Sequence, residues 1–149
     1  MIIPIVLVLA VGLLMPKPPD ITDPQLAAQW AECDAGKISW FIGQKIDYKL
    51  MPKWESATSC LERGTGDCKC YATTAKEIMD NCNGWRTRLI TVRRWDGERF
   101  RYHAVTYFVD HKGNKGYING QNFKMFDGDK DLEELLENIE GGPWEYVHG

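Results

Sequence analysis

The stretch Gly64-Thr65-Gly66-Asp67-Cys68-Lys69-Cys70-Tyr71-Ala72-Thr73-Thr74-Ala75-Lys76-Glu77-Ile78-Met79 decides the fold. A loop with two glycines runs into an acidic residue, after which Ala72, Ala75, Ile78 and Met79 recur at helical spacing. Asp67 is a natural helix cap, because its carboxylate can accept a hydrogen bond from an unpaired amide of the first turn. The pattern predicts a helix from about Cys68 to Met79, stopped by Asn83-Gly84. Cys68 then occupies the first turn, where free N–H groups and the helix dipole favour a thiolate and lower the thiol pKa. Its own N–H points toward a developing oxyanion. The loop glycines are expected to let a substrate approach the sulfur.

Upstream of this stretch the chain reads as helical. Thr22-Asp23-Pro24 is a cap followed by a first-turn proline. Leu26, Trp30 and Cys33 recur at helical spacing, and Gly36 is expected to end that helix. Residues 38–50 are mixed in period, a short helix or an extended segment, and Ser56 to Glu62 predicts a helical turn ending at Arg63-Gly64. Downstream the period changes. Arg88 to Trp95 and Arg99 to Val109 are rich in β-branched and aromatic residues, with Asp96-Gly97 as the hairpin turn between them. A second turn over Asp110 to Lys115 leads to a third strand, Gly116 to Asn119. An acidic helix over Asp131 to Ile139, closed by Gly141-Gly142, and an edge strand over Trp144 to Val147 complete the reading. Helices first, then an antiparallel meander: the class is α+β.

The chain has 149 residues, which suits one domain, read here as 20–149 behind a segment 1–19. Eighteen basic residues against 21 acidic ones leave a net charge of −3, without the basic face that nucleic-acid binding needs. The run Arg86, Arg88, Arg93, Arg94, Arg99, Arg101 sits beside Asp96 and Glu98 and reads as a solvated strand face. Ile2 to Met15 is apolar and uncharged, then broken by Pro16-Lys17-Pro18-Pro19. Its length suits an export signal or an uncleaved anchor, so the domain is expected outside the cytoplasm, with membrane attachment through residues 2–15. Cysteines 33, 60, 68, 70 and 82 are an odd number, leaving one thiol unpaired in an exported protein. If that thiol is Cys68, the other four allow three pairings.

A cysteine nucleophile needs a histidine close in space. His148 lies within the last two residues, where a frayed terminus is expected, and His111 lies in the turn Asp110-His111-Lys112-Gly113-Asn114. His103 lies inside a strand, sharing a face with Val105 and Tyr107, and is the candidate base. Asn119, on the neighbouring strand across the second turn, is the candidate to orient the imidazole, as in Cys-His-Asn sites. It also reads as an ordinary turn residue before Gly120. Cys70 falls roughly 200° around the helix from Cys68 and faces elsewhere.

At these residues the chain resembles the bacterial transglutaminase-like cysteine proteinases, within the transglutaminase-like superfamily. The resemblance covers roughly residues 46–120. It is carried by Trp54-Glu55-Ser56-Ala57, by Arg63 to Ala72 with Gly66-Asp67-Cys68 followed by Tyr71-Ala72, and by His103-Ala104-Val105. It implies a papain-like core, with Cys68 as nucleophile, His103 as base and Asn119 at the position the family gives to Asp. A carboxamide there keeps orientation but adds no charge. Lys69 and Cys70 stand where the proteinase branch carries acidic, calcium-binding residues, so calcium is not carried over.

The expected activity is hydrolysis of a peptide or amide bond through an acyl-enzyme on Cys68. Transglutaminase-type acyl transfer to an amine and a non-catalytic binding or structural domain are the alternatives. The expected partner is a protein or peptide substrate of a monomer, with no cofactor, no metal and no nucleic acid. A zinc site from Cys60, Cys68, Cys70 and Cys82 lacks the paired Cys-x-x-Cys knuckles of zinc ribbons.

Overall fold

A computed structural model describes residues 17–126, 135–137, 139 and 141–148. The expected apolar signal or anchor segment and most of the expected acidic helix lie outside the described residues. Among the described residues, no helix is long and apolar enough to cross a membrane.

The four helices whose starts are described each begin where a side chain satisfies the first turn. Asp23 Oδ1 accepts from Gln25 N at 2.9 Å and starts helix α1, Pro24–Trp30, with the proline in its first turn. The expected continuation to Gly36 does not occur. Glu32 and Cys33 adopt left-handed φ of 54° and 46°, and Asp34 caps a second helix, α2, Ala35–Lys45, through Lys37 N. Gly36 therefore lies inside α2. The mixed-period segment after it is both things it resembles, a helix and then the extended pair β1, Asp47–Tyr48. Helix α3, Ala57–Arg63, is capped by Ser56 and closed by Gly64 at φ 74°. The loop before Cys68 contains a two-residue strand, β2, Thr65–Gly66, parallel to β1. Helix α4, Cys68–Met79, follows at the predicted bounds.

Among the described residues, five antiparallel strands follow in the order β6-β5-β4-β3-β7. They are β3, Arg86–Trp95; β4, Phe100–Val109; β5, Lys115–Asn119; β6, Asn122–Phe126; and β7, Glu145–His148. The β3–β4 connection spans residues 96–99, held by Asp96 Oδ1, which accepts from Glu98 N and Arg99 N at 2.9 Å each. Strand β7 pairs along β3, so the backbone at His148 is opposite Thr91 and not frayed as expected.

Helices and antiparallel sheet make the protein α+β. Helix α4 lies on one sheet face, its Tyr71, Ala75, Ile78 and Met79 packed with Phe41, Ile38 and Ile42 of α2 and with Phe108 and Ile118 of the sheet. Each of the larger apolar side chains contributes about 1.5–3 kcal/mol by burial. Thr106 Oγ1 donates to the Ala72 carbonyl at 2.5 Å and fixes α4 against β4. Ile90, Val92, Val105, Tyr117 and Phe126 form a second cluster on the opposite face, with Leu135 and Ile139.

Disulfides Cys33–Cys82 and Cys60–Cys70 tie the end of α1 to the end of α4, and α3 to α4. Two such bonds suit an oxidising environment. They also consume three of the four thiols of the zinc alternative, and among the described residues no cluster of metal-ligating side chains occurs.

Candidate functional site

Cys68 keeps a free thiol while the other four cysteines are paired. It stands at the first position of α4, whose start is fixed by Asp67. That carboxylate, 2 % exposed, accepts from Lys69 N at 3.0 Å, Lys69 Nζ at 2.6 Å and Met51 N at 3.0 Å. Burial alone would raise the Asp67 pKa, but the Lys69 ammonium and the two N–H groups outweigh it and hold the carboxyl low. The cap thus stays charged and joins the loop at Met51 to the helix.

The sulfur meets the sheet at the backbone N–H of Ala104, the residue after His103. Sequence reasoning expects a lowered thiol pKa here, and the direction is the reverse. Burial is the largest influence and raises it, and the Asp67 carboxylate adds to this. The Ala104 N–H, the Lys69 ammonium and the Lys69 N–H only partly offset them.

His103 projects from the sheet face opposite α4, since residues alternate along β4 and Ala104, Thr106 and Phe108 face the helices. Its Nε2 lies 2.6 Å from Asn119 Oδ1. The carboxamide oxygen is an acceptor, so Nε2 carries the hydrogen and Nδ1 is left unprotonated. Trp144 stacks on the imidazole, with ring centroids 5.6 Å apart at 28°. Burial lowers the His103 pKa, and the bond to Asn119 offsets this in part. Thiol and imidazole share no hydrogen bond. Residues Cys68 and His103 nevertheless border one cleft.

The cleft, about 280 Å³, is lined by Trp54, Cys68, Lys69, Thr91, Tyr102, His103, Ala104 and Val147. It therefore holds Cys68 and His103 together, with Asn119 behind the imidazole. His111 is exposed in its turn, away from this cleft. Four contributors escape sequence reasoning. Trp144 arrives with the chain's last strand. Thr91 lines the cleft with a buried hydroxyl that has no hydrogen-bond partner among the described residues. Tyr102 lines the cleft mouth. The Tyr48 phenol is pushed up in pKa, first by burial and then by the nearby Cys68 and Asp67. The only signal for Thr91 and Tyr102 is their alternation with His103 and its partner strand.

The loop glycine acts differently from the expectation. A Cβ at Gly66 would lie 2.3 Å from Cys70 Cβ and 2.5 Å from its sulfur. Its bareness makes room for the Cys60–Cys70 disulfide and not for a substrate.

No protein-family model matches the chain, and a search of the curated proteins returns no significant match.

Proposed function

We propose that the chain is a thiol-dependent hydrolase that cleaves a peptide or amide bond through an acyl-enzyme on Cys68. The single observation that carries this is the free Cys68 thiol at a helix N-terminus, in a cleft that His103 also lines, with His103 Nε2 held by Asn119. His103 Nδ1 takes the thiol proton, and the sulfur attacks the substrate carbonyl carbon. The oxyanion gathers at the Cys68 backbone N–H, one of the first-turn amides of α4. His103 then returns the proton to the leaving amine. Water, deprotonated by the same nitrogen, resolves the thioester to an acid and the free thiol. Asn119 and Trp144 keep the ring in the required orientation throughout.

The resemblance to transglutaminase-like cysteine proteinases supports the same roles within a papain-like core. Acyl transfer to an amine shares every step up to the thioester. The raised thiol pKa and the missing thiol–imidazole bond favour one rival, a domain that keeps this arrangement without turnover. Incubation with an activated peptidyl ester, followed by intact-mass measurement, separates the readings. The proposal expects a transient acyl adduct on Cys68 that clears with time and is absent in Cys68→Ala. An adduct that never clears supports the rival.

A further inference from the structure

The sheet face that carries the thiol cleft continues past it as an exposed aromatic strip. The β3–β4 ladder sets Thr91 opposite Ala104, Arg93 opposite Tyr102 and Trp95 opposite Phe100. Alternation places these three rows on the face where Ala104 meets the Cys68 sulfur. The first row is buried in the cleft, and the Thr91 hydroxyl there has no partner among the described residues, although the residue is only 8 % exposed. The second row leaves the cleft. Tyr102, 58 % exposed, lines its mouth. The Arg93 guanidinium reaches the Tyr102 phenol, pairs with Glu145 and lies 4.2 Å from the Phe100 ring centroid. In the outer row Trp95, 59 % exposed, packs edge-on to Phe100 with centroids 5.2 Å apart. Rings already held by one another lose little further freedom when a ligand binds.

Spacing and charge say what such a strip takes. Same-face rows repeat every two residues, about 6.8 Å, which is also the repeat at which an extended polypeptide presents same-face side chains. From Thr91 to Trp95 the strip spans roughly 13 Å, room for about four residues of such a chain. Glu145 neutralises Arg93, so the surface offers ring faces more than net charge. We infer that this strip docks the part of an extended polypeptide substrate that flanks the scissile amide. It takes apolar or aromatic side chains at alternate positions, and Thr91 Oγ1 hydrogen-bonds the same chain at the base of the cleft. The inference rests on Cys68 being the acyl-accepting thiol, because the strip begins at that sulfur.

The test uses the full chain with Cys68→Ser, so that binding is read without chemistry. Unstructured fluorescent peptides carry either Phe and Leu or only Ser at alternate positions. The Phe/Leu peptide should bind about tenfold more tightly, and Trp95→Ser or Tyr102→Ser should each remove about tenfold. Thr91→Val keeps the side chain's shape and should weaken binding about fivefold. Leu26→Ser, at an exposed position on α1, should change nothing. Equal affinity for both peptides, or no loss in Trp95→Ser, overturns the strip whether or not the wild-type protein turns over. The expected losses uphold the strip even if the wild type never releases product, and then the hydrolase reading alone fails. Binding to anionic phospholipid vesicles or to a soluble glycan, lost in Trp95→Ser and with no peptide bound, overturns the assignment to a polypeptide.

Discussion

His103 Nε2 lies 2.6 Å from Asn119 Oδ1, and the two residues come from neighbouring strands of one ladder. Continuing the β4–β5 register sets Asn119 opposite Val105, diagonal to His103 on the same face. The tip of the hairpin does not hold Asn119 in place for its backbone. Gly120 takes the left-handed φ of 61°, and among the described non-glycine residues only Glu32 and Cys33 have positive φ.

That relationship predicts a graded series. Asn119→Ala should lower kcat on the order of 100-fold with KM little changed, because orientation matters mainly in the transition state. Asn119→Asp should keep or raise the rate, since a carboxylate orients the ring and stabilises imidazolium. Asn119→Gly should behave like Asn119→Ala and not like wild type. Steady-state kinetics with melting curves on the three variants provide the check.

The pH response follows from two buried neutral groups. The His103 pKa is lowered by burial, so its contribution to stability is present above pH 6.5, the ordinary imidazole value, and is lost as pH falls through the lowered value. The Cys68 pKa is raised by burial, so its contribution is present below the ordinary thiol range and is lost as pH rises through the raised value. Unfolding free energy should therefore fall toward both extremes. His103→Gln should flatten the acid side, as read by denaturant titrations across pH.

The disulfides make a quantitative contrast. Cys33–Cys82 closes a 49-residue separation and Cys60–Cys70 only 10, so the chain-entropy account gives about 4 and about 3 kcal/mol respectively. The double variant Cys33→Ser/Cys82→Ser should lower stability more than Cys60→Ser/Cys70→Ser. Urea unfolding of both measures the difference, and non-reducing peptide mapping should find one free thiol, Cys68.

Gly66→Ala should cost about 1–3 kcal/mol, because the new methyl meets the Cys70 side chain and not open cleft. Removing that disulfide should relieve part of the loss. A melting-temperature comparison of Gly66→Ala with and without Cys60→Ser/Cys70→Ser tests the coupling.

Much of this arrangement was legible in the residues. Asp67 as a cap and the stripe Ala72, Ala75, Ile78, Met79 are local signals, and α4 runs at the bounds they imply. The hairpin of β3 and β4 follows from β-branched and aromatic runs around Asp96-Gly97. The break between α1 and α2 was hidden because two non-glycine residues, Glu32 and Cys33, take left-handed φ, while Gly36 gave a false stop signal. Asp34 ahead of Ile38 was the usable cue. The two-residue pairing of β1 with β2 carries no periodicity at all, and β6 offers only the short alternation of Phe123 and Met125 with polar neighbours. Trp144 over His103 joins residues far apart in sequence, which no local pattern encodes. The direction of the Cys68 pKa also needed the structure, since burial outweighs the helix terminus only once the thiol lies against β4.

Activation of the Cys68 thiol by His103 is the first step that the proposed hydrolysis requires. The most direct measurement is the second-order rate of Cys68 alkylation by iodoacetamide near neutral pH, read by peptide mapping, in wild type and His103→Ala. The expected rate is lower by about 10²-fold or more in His103→Ala, with melting temperature little changed and no such effect in His111→Ala. Equal rates in wild type and His103→Ala, with Cys68 labelled in both, would contradict it.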